Sequence, residues 1–406
     1  MPQKAHVAFY ISNQDNKPLL IEQVLSGELI PELKGLKSTL FSEITLNQFI
    51  LEEIRHDDFS VVTDTKNSLK NSSEGERKKA LLRHLINQNP DYMVVDNVFD
   101  SLDVATQESI VKTLEELSAT TAIIQIANRK RDMLSFIKLK YTLQNGIPKK
   151  VVDVTRSQPR SRFVNDLPSP EHISTKTFNP LVKLTNVSVA YGERSIVKDI
   201  FWEIKAGEFW QLLGPNGSGK STLLTLISGD NPKAYNQDIV LFGRKKGSGE
   251  TVWEIKNNIG HYTAEMLRGF RRLDSIEKMI LSGFFDSIGL YKYPTERQIF
   301  IAHDWLKLLG LFDKKDKDFL SLSAGHKRLV LIARAMVKHP PLLILDEPTN
   351  GLDDVDAELF ADLINKIAAE SNTAILYVSH RKEENINPDF VYELVPSETG
   401  SVGRKI

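Results

Sequence analysis

Eight residues constrain this 406-residue chain more than any others: Gly214-Pro215-Asn216-Gly217-Ser218-Gly219-Lys220-Ser221. They fit the pattern G-x-x-x-x-G-K-S/T, and their surroundings fit as well. Phe209-Trp210-Gln211-Leu212-Leu213 reads as a buried strand, and Thr222-Leu223-Leu224-Thr225-Leu226-Ile227 as the opening of a helix. Glycines in such a loop let successive backbone N–H groups turn inward, at a helix N-terminus that already favours anions. Lys220 is then placed to reach the β- and γ-phosphates of a nucleotide and the Ser221 hydroxyl to bind Mg²⁺, with Thr222 completing the stretch. A strand, a phosphate-binding turn and a helix in succession commit this part of the chain to an α/β fold.

A second motif supports the first. Leu342-Leu343-Ile344-Leu345-Asp346-Glu347 is an apolar strand ending in two carboxylates. Asp346 suits the metal side of a nucleotide site. Glu347, one residue further on, suits a general base acting on the attacking water. Two solvated acids at a strand end would leave the upstream loop unexplained.

The chain also repeats itself. Pro90-Asp91-Tyr92-Met93-Val94-Val95-Asp96-Asn97 lines up with Pro340 to Glu347, and Ser72-Ser73-Glu74-Gly75-Glu76 falls on Leu322-Ser323-Ala324-Gly325-His326 without a gap. Ser101-Leu102-Asp103 falls on Gly351-Leu352-Asp353, and Asn128 on His380. One domain type therefore occurs twice. The proline-broken stretch 147–180 reads as a linker between residues 1–146 and residues 181–406. The first copy is stripped of its chemistry. A gapless alignment through Ser26-Gly27 and Ser228-Gly229 puts Ser12 to Leu19 on Gly214 to Ser221. That places Pro18 on the lysine and leaves no glycine in the loop, while Asn97 replaces the glutamate. This half is expected to bind no ATP.

Together these residues resemble the ATP-binding cassette (ABC) ATPase family over about Leu181 to Val395, with a degenerate N-terminal copy. The resemblance implies the P-loop ABC fold, ATP and Mg²⁺ as cofactors, and hydrolysis of ATP. It makes Tyr191 the ring that stacks on adenine, Ser323 and Gly325 the core of the signature L-S-G-G-Q, Glu347 and His380 the catalytic pair, and His380 the switch histidine that contacts the γ-phosphate. Gly351-Leu352-Asp353 corresponds to the loop that crosses between paired cassettes. Two departures stand out: Ala324 and His326 alter the signature, and Ala264 stands where a Mg²⁺-sensing glutamine is expected, with Glu265 beside it. In the family two cassettes pair head to tail. Within one chain, Lys220 would face Ser73 and Glu74, whose charge repels a γ-phosphate. Pairing of two chains, Lys220 of one against Ser323 of the other, avoids that repulsion.

The stretches Val240 to Trp253 and Leu281 to Gly289, with Ser26-Gly27-Glu28-Leu29 and Leu33-Lys34-Gly35, resemble the ModF-type tandem ATP-binding proteins associated with molybdate transport. That implies a separate membrane permease as partner and a cytoplasmic protein peripheral at the inner face of the membrane. Phe284, Phe285, Tyr291 and Tyr293 then serve either as a docking surface for that partner or as the core of a helical subdomain. Composition narrows the rest. With no cysteine, disulfides, thiolate zinc sites and cysteine nucleophiles are excluded. Lys and Arg total 52 against 53 Asp and Glu, so binding of nucleic acid by phosphate neutralisation is not expected. The cluster Arg268, Arg271 and Arg272 reads as a solvated face. The alternatives are a soluble tandem cassette protein acting on ribosomes or other nucleoprotein, and a non-hydrolysing ATP-binding scaffold.

Overall fold

The computed structural model describes residues 6–56, 59–65, 67–144, 146–151, 162–172, 178–269 and 273–406. Arg271, Arg272 and the side chain of Arg268 lie outside the described residues. The chain forms two compact units, Met1–Gln158 with Gly351–Val355, and Pro159–Asn350 with Asp356–Ile406.

The first unit runs β1 (Val7–Tyr10), α1 (Lys17–Leu25), β2 (Ser38–Phe41), α2 (Glu43–His56), α3 (Glu74–Asn87), β3 (Tyr92–Asp96), α4 (Val104–Ser118), β4 (Ala122–Ala127), β5 (Leu139–Gln144) and β6 (Ile147–Lys150). Its six strands lie in the order β2-β3-β4-β1-β5-β6. All neighbours are parallel except the β5–β6 hairpin. Every residue of β3 and β4 is buried, because helices cover both faces of the sheet. Leu20, Ile21 and Val24 of α1 pack with Phe9, Val94 and Ile124 on one face. Leu46, Leu81 and Ile110 pack with Met93, Val95 and Ile123 on the other. The hairpin carries this sheet to Lys150, past Gly146.

The second unit runs β7 (Val182–Tyr191), β8 (Arg194–Ile204), β9 (Phe209–Leu213), α5 (Lys220–Ile227), β10 (Asp238–Leu241), β11 (Arg244–Lys245), α6 (Val252–Asn257), β12 (Ile259–Thr263), α7 (Met266–Gly269), α8 (Ile276–Leu281), α9 (Glu296–Leu308), α10 (Ala324–Met336), β13 (Leu342–Asp346), α11 (Asp354–Glu370), β14 (Ala374–Ser379), β15 (Phe390–Val395) and β16 (Val402–Lys405). Its larger sheet has the order β12-β13-β14-β9-β15-β16. Element for element this is the sheet of the first unit, so the duplication extends to topology and to the antiparallel last strand. The second unit adds a four-stranded sheet, β11-β10-β7-β8, whose buried Val187, Ile200 and Trp202 share one core with Leu223 of α5 and Ile344 of β13. Trp202 stacks on Tyr392 with ring centroids 4.5 Å apart.

Between β12 and α10 the second unit also inserts α8 and α9, closed around the fully buried Trp305. The four aromatic residues of this region differ in exposure. Phe284 and Phe285 are half-buried, whereas Tyr291 and Tyr293 stand exposed.

Both copies start their signature helix in the same way. Ser73 caps α3 by accepting the Glu76 N–H, and Glu76 Oε2 returns to the Ser73 N–H at 2.8 Å. Ser323 caps α10 by accepting the His326 N–H. Ser73→Ala removes one side of a reciprocal cap, so thermal unfolding should show a loss of about 1 kcal/mol. Ser73→Asn should restore most of it.

Candidate nucleotide site

The ends of β9, β13 and β14 point their last residues at one place, because these strands are parallel neighbours in register. Leu213 pairs with Ser379, and Asp346 with Val378. The residue after each strand is Gly214, Glu347 or His380, which brings the loop, both carboxylates and the histidine together at the carboxyl edge of the sheet. That edge is where open α/β sheets bind ligands.

Lys220 is the first residue of α5 and is buried; its Nζ donates to the carbonyls of Gly214 (2.7 Å) and Pro215 (3.1 Å), arching over the loop. Gly219 has φ 97°, and an added Cβ would sit 2.6 Å from Val197 Cγ1. Only glycine fits there. Asp346 is pushed up to about 6, first by burial and then by the charge of Glu347, against the pull of Lys220; Glu265 adds to the push. Burial works the same way on Glu347, but His380, Lys220 and Asn350 outweigh it and hold this carboxyl below its usual range. Asn350 Nδ2 donates to Glu347 Oε2 at 2.5 Å, and His380 Nδ1 lies 3.7 Å from Glu347 Oε1.

Two observations test whether ATP and Mg²⁺ fit these residues. Both ring nitrogens of His380 and the hydroxyl of Ser218 are buried without a hydrogen-bond partner. Such atoms are costly unless a ligand satisfies them. Ser221 and Asp346 also supply a hydroxyl and a carboxylate, a donor set of the kind Mg²⁺ takes beside substrate phosphates. The residues fit the group.

Ser323 caps α10, and Gly325 and His326 lie in its first turn. Ser323 Oγ is 2.8 Å from His326 Nδ1, so the histidine in place of glutamine ties back to the cap. Gly325 approaches Asp356 so closely that a Cβ would fall 2.2 Å from its carboxylate. In the first unit Glu74 pairs with Lys78 Nζ at 2.7 Å, which tempers the repulsion expected of its charge. Tyr191 is 48% exposed, and its hydroxyl accepts a hydrogen bond from Asn231 Nδ2 at 2.9 Å. Sequence reasoning missed Asn231 and Asn350. The second could have been found, since the repeat places polar Asp100 at the same distance from Asn97.

The first unit corrects the gapless alignment. Tyr10 pairs with Ala127, and Asp96 with Ile126, so Tyr10 is the counterpart of Leu213. Six loop residues follow in each copy, and the helix then opens on Lys17 or on Lys220. The lysine is therefore present, and Pro18 stands in place of Ser221. The extra residue lies inside the helix, nine residues in α1 against eight in α5. What is missing is the cradle. Lys17 Nζ binds Asp96 Oδ2 at 3.1 Å. The Ser12 N–H donates to Asp15 Oδ2 at 2.7 Å, and Gln14 N–H to Ser12 Oγ at 3.0 Å. The loop thus satisfies the Ser12 and Gln14 amides with its own carboxylate and hydroxyl, and the Asn13 amide donates to Asp353 Oδ2 at 2.7 Å.

A phosphate loop over a parallel sheet, with an acidic pair and a histidine on the neighbouring strand ends, defines a P-loop nucleotide-binding protein. The family model described as ABC transporter matches residues 197–350. ModF of Escherichia coli K12, an ABC transporter ATP-binding protein, is 33% identical over 437 residues, covering 93% of this chain and 88% of ModF. The chain belongs to the family of ABC transporter ATP-binding proteins. YlmA of Bacillus subtilis 168, an uncharacterised ABC transporter ATP-binding protein, is 37% identical over 205 residues, 50% of this chain and 77% of YlmA. Among solved structures, CbiO1 of Clostridium perfringens, part of the ABC transporter complex CbiONQ, matches with a TM-score of 0.48 and 27% identity over 56% of this chain and 88% of that one.

Proposed function

We propose that the second unit binds Mg-ATP and hydrolyses it, and that the first unit does not bind nucleotide. The observation that carries this is the meeting of Lys220, Asp346, Glu347 and a buried His380 at one sheet edge. Gly214 to Thr222 hold the phosphates, Tyr191 the adenine, and Ser323 with Gly325 the γ-phosphate of a paired site. Ser221 and Asp346 hold Mg²⁺, which supplies charge neutralisation to the phosphates when bound. Glu347, kept ionised by its donors, accepts a proton from the attacking water, and His380 fixes the carboxylate that does so.

Steady-state phosphate release tests this directly. Wild type should hydrolyse ATP, and Lys220→Ala should lose the activity together with nucleotide affinity. Equal rates in the two proteins would overturn the reading.

The likeness to ModF supports a role in a transporter through a separate membrane subunit, and the resemblance of Val240 to Trp253 and Leu281 to Gly289 to tandem proteins associated with molybdate transport makes it one of molybdate type. No helix among the described residues is long and apolar enough to cross a membrane, so such a role needs that partner. The chain would then be peripheral at the inner face of the membrane. Co-purification with membranes supports this, and exclusive co-sedimentation with ribosomes overturns it.

A further inference from the structure

Arg328 lies on α10, five residues after the capping Ser323, and is 5% exposed. Its two terminal nitrogens donate to the carbonyls of Pro348 and Asn350, one on each side of Thr349 in the loop that follows β13. A guanidinium carries several donors in a fixed fork and is costly to bury without acceptors, so this contact grips the loop. The loop needs a grip. Glu347 has φ 44°, in the left-handed region that a non-glycine residue keeps only where its surroundings impose it. Its N–H donates to the Val378 carbonyl at 3.0 Å, which fixes one end. At the other end the Asn350 amide reaches back to the Glu347 carboxylate, and Arg328 holds the backbone from which that amide extends.

The first unit offers a comparison within the same chain. Lys78 stands five residues after Ser73, and its Nζ donates at 2.8 Å to the Asp100 carbonyl, the counterpart of the Asn350 carbonyl. A cation that grips this backbone is therefore common to both copies. Lys78 divides its ammonium between that carbonyl and Glu74, whereas Arg328 takes two carbonyls of the loop. Asn97 and Asp100 stand where Glu347 and Asn350 stand. The double grip and the side-chain amide thus accompany the copy that keeps a strand-end glutamate.

We propose that Arg328 is a positioning residue for ATP hydrolysis, acting from the signature helix through Asn350 to aim the Glu347 carboxylate at the attacking water. The proposal rests on the ATP reading above. The aim of the general base then depends on the helix that Ser323 caps.

The test measures kcat and KM for ATP in the full chain with Arg328→Lys, Asn350→Ala and the two combined. Lysine keeps a cation and one carbonyl contact at this position, as Lys78 does in the first unit. Asn350→Ala gives a second reading that leaves α10 untouched. Each single variant should lower kcat by about tenfold or more, as expected for a lost hydrogen bond to a charged group, and leave KM within about twofold of wild type. Because Arg328 acts through Asn350, the double variant should lose little more than either single one, whereas independent losses multiply. The acidic limb of the kcat–pH profile should move to higher pH in all three. The Asn350 hydrogen bond favours the ionised Glu347, and Lys220, His380 and Asp346, which also face it, stay in place. An unchanged kcat in Arg328→Lys, losses that multiply in the double variant, or an unmoved acidic limb would overturn the positioning role and leave the ATP reading intact. Failure of wild type to hydrolyse ATP would overturn that reading, and the proposal with it.

Discussion

Glu347→Gln should lower ATP turnover by ~10²–10⁴-fold, the usual worth of a positioned general base, while leaving ATP binding in place. The substitution keeps the shape of the side chain, and its carbonyl can still accept from Asn350 Nδ2. It removes the charge that His380 and Lys220 hold in the ionised state. The Lys220 contacts to Gly214 and Pro215 do not involve Glu347, so the phosphate cradle should persist. Stopped-flow binding of a fluorescent ATP analogue and steady-state phosphate release separate the two effects. A turnover loss of less than tenfold would remove Glu347 from the base role. The trapped ATP state also bears on pairing: light scattering should detect a dimer of this variant with Mg-ATP, and a strictly monomeric ATP-bound form excludes a site shared between two chains.

The second large effect is expected far from the nucleotide. Lys246 is buried, with its Nζ 3.3 Å from Glu250 Oε1 and 5.2 Å from the centre of the Tyr235 ring. Gly247 and Ser248 donate their N–H groups to the Glu250 carboxylate at 2.8 and 2.9 Å. Burial opposes the charge on Glu250, but these donors and Lys246 overcome it and hold the carboxyl at about 2, well below its usual 4.5. Glu250→Ala leaves the Lys246 ammonium and two loop amides without their acceptor, a loss of about 1–3 kcal/mol. Replacing both residues, Lys246→Met with Glu250→Leu, should recover a good part of it. The pH dependence has a definite sign. The folded state holds Glu250 ionised below its unfolded value, so its contribution is complete above pH 4.5 and fades as pH falls towards 2. Urea unfolding across that window should show a steeper decline in wild type than in Glu250→Gln.

That ion pair also marks the limit of what the sequence discloses. The loop, the two acids and the histidine were legible because each needs a particular residue at a fixed offset from a strand end, and a parallel sheet turns such offsets into proximity. The repeat was legible for the same reason, since Asp96 and Asp346 close equivalent strands. Lys17 was misplaced because alignment by identity fixed on the shared Ser-Gly at the helix end, whereas the extra residue sits inside the helix, where any residue is tolerated. The stretch Val240 to Trp253 stood out as a family mark without any physical reason for Lys246 or Glu250. Their pairing depends on a two-residue strand and a tight turn that carry no periodic signal. The partners Asn231 and Asn350 act through side-chain hydrogen bonds to residues distant in sequence or across a turn, which sequence spacing does not encode.

The loop of the first unit bears on what its descendants can become. Restoring a phosphate cradle there requires glycine within residues 11–16, a hydroxyl at position 18, removal of the Asp15 carboxylate from the Ser12 amide and release of Lys17 from Asp96. Each change alone leaves the others in force, and removing Asp15 alone leaves the Ser12 amide without its acceptor. Residues that act as one unit are not additive, so no single step brings a gain that selection could hold. The divergence of the two copies therefore works as a ratchet, open to further specialisation of the first unit and closed to its return.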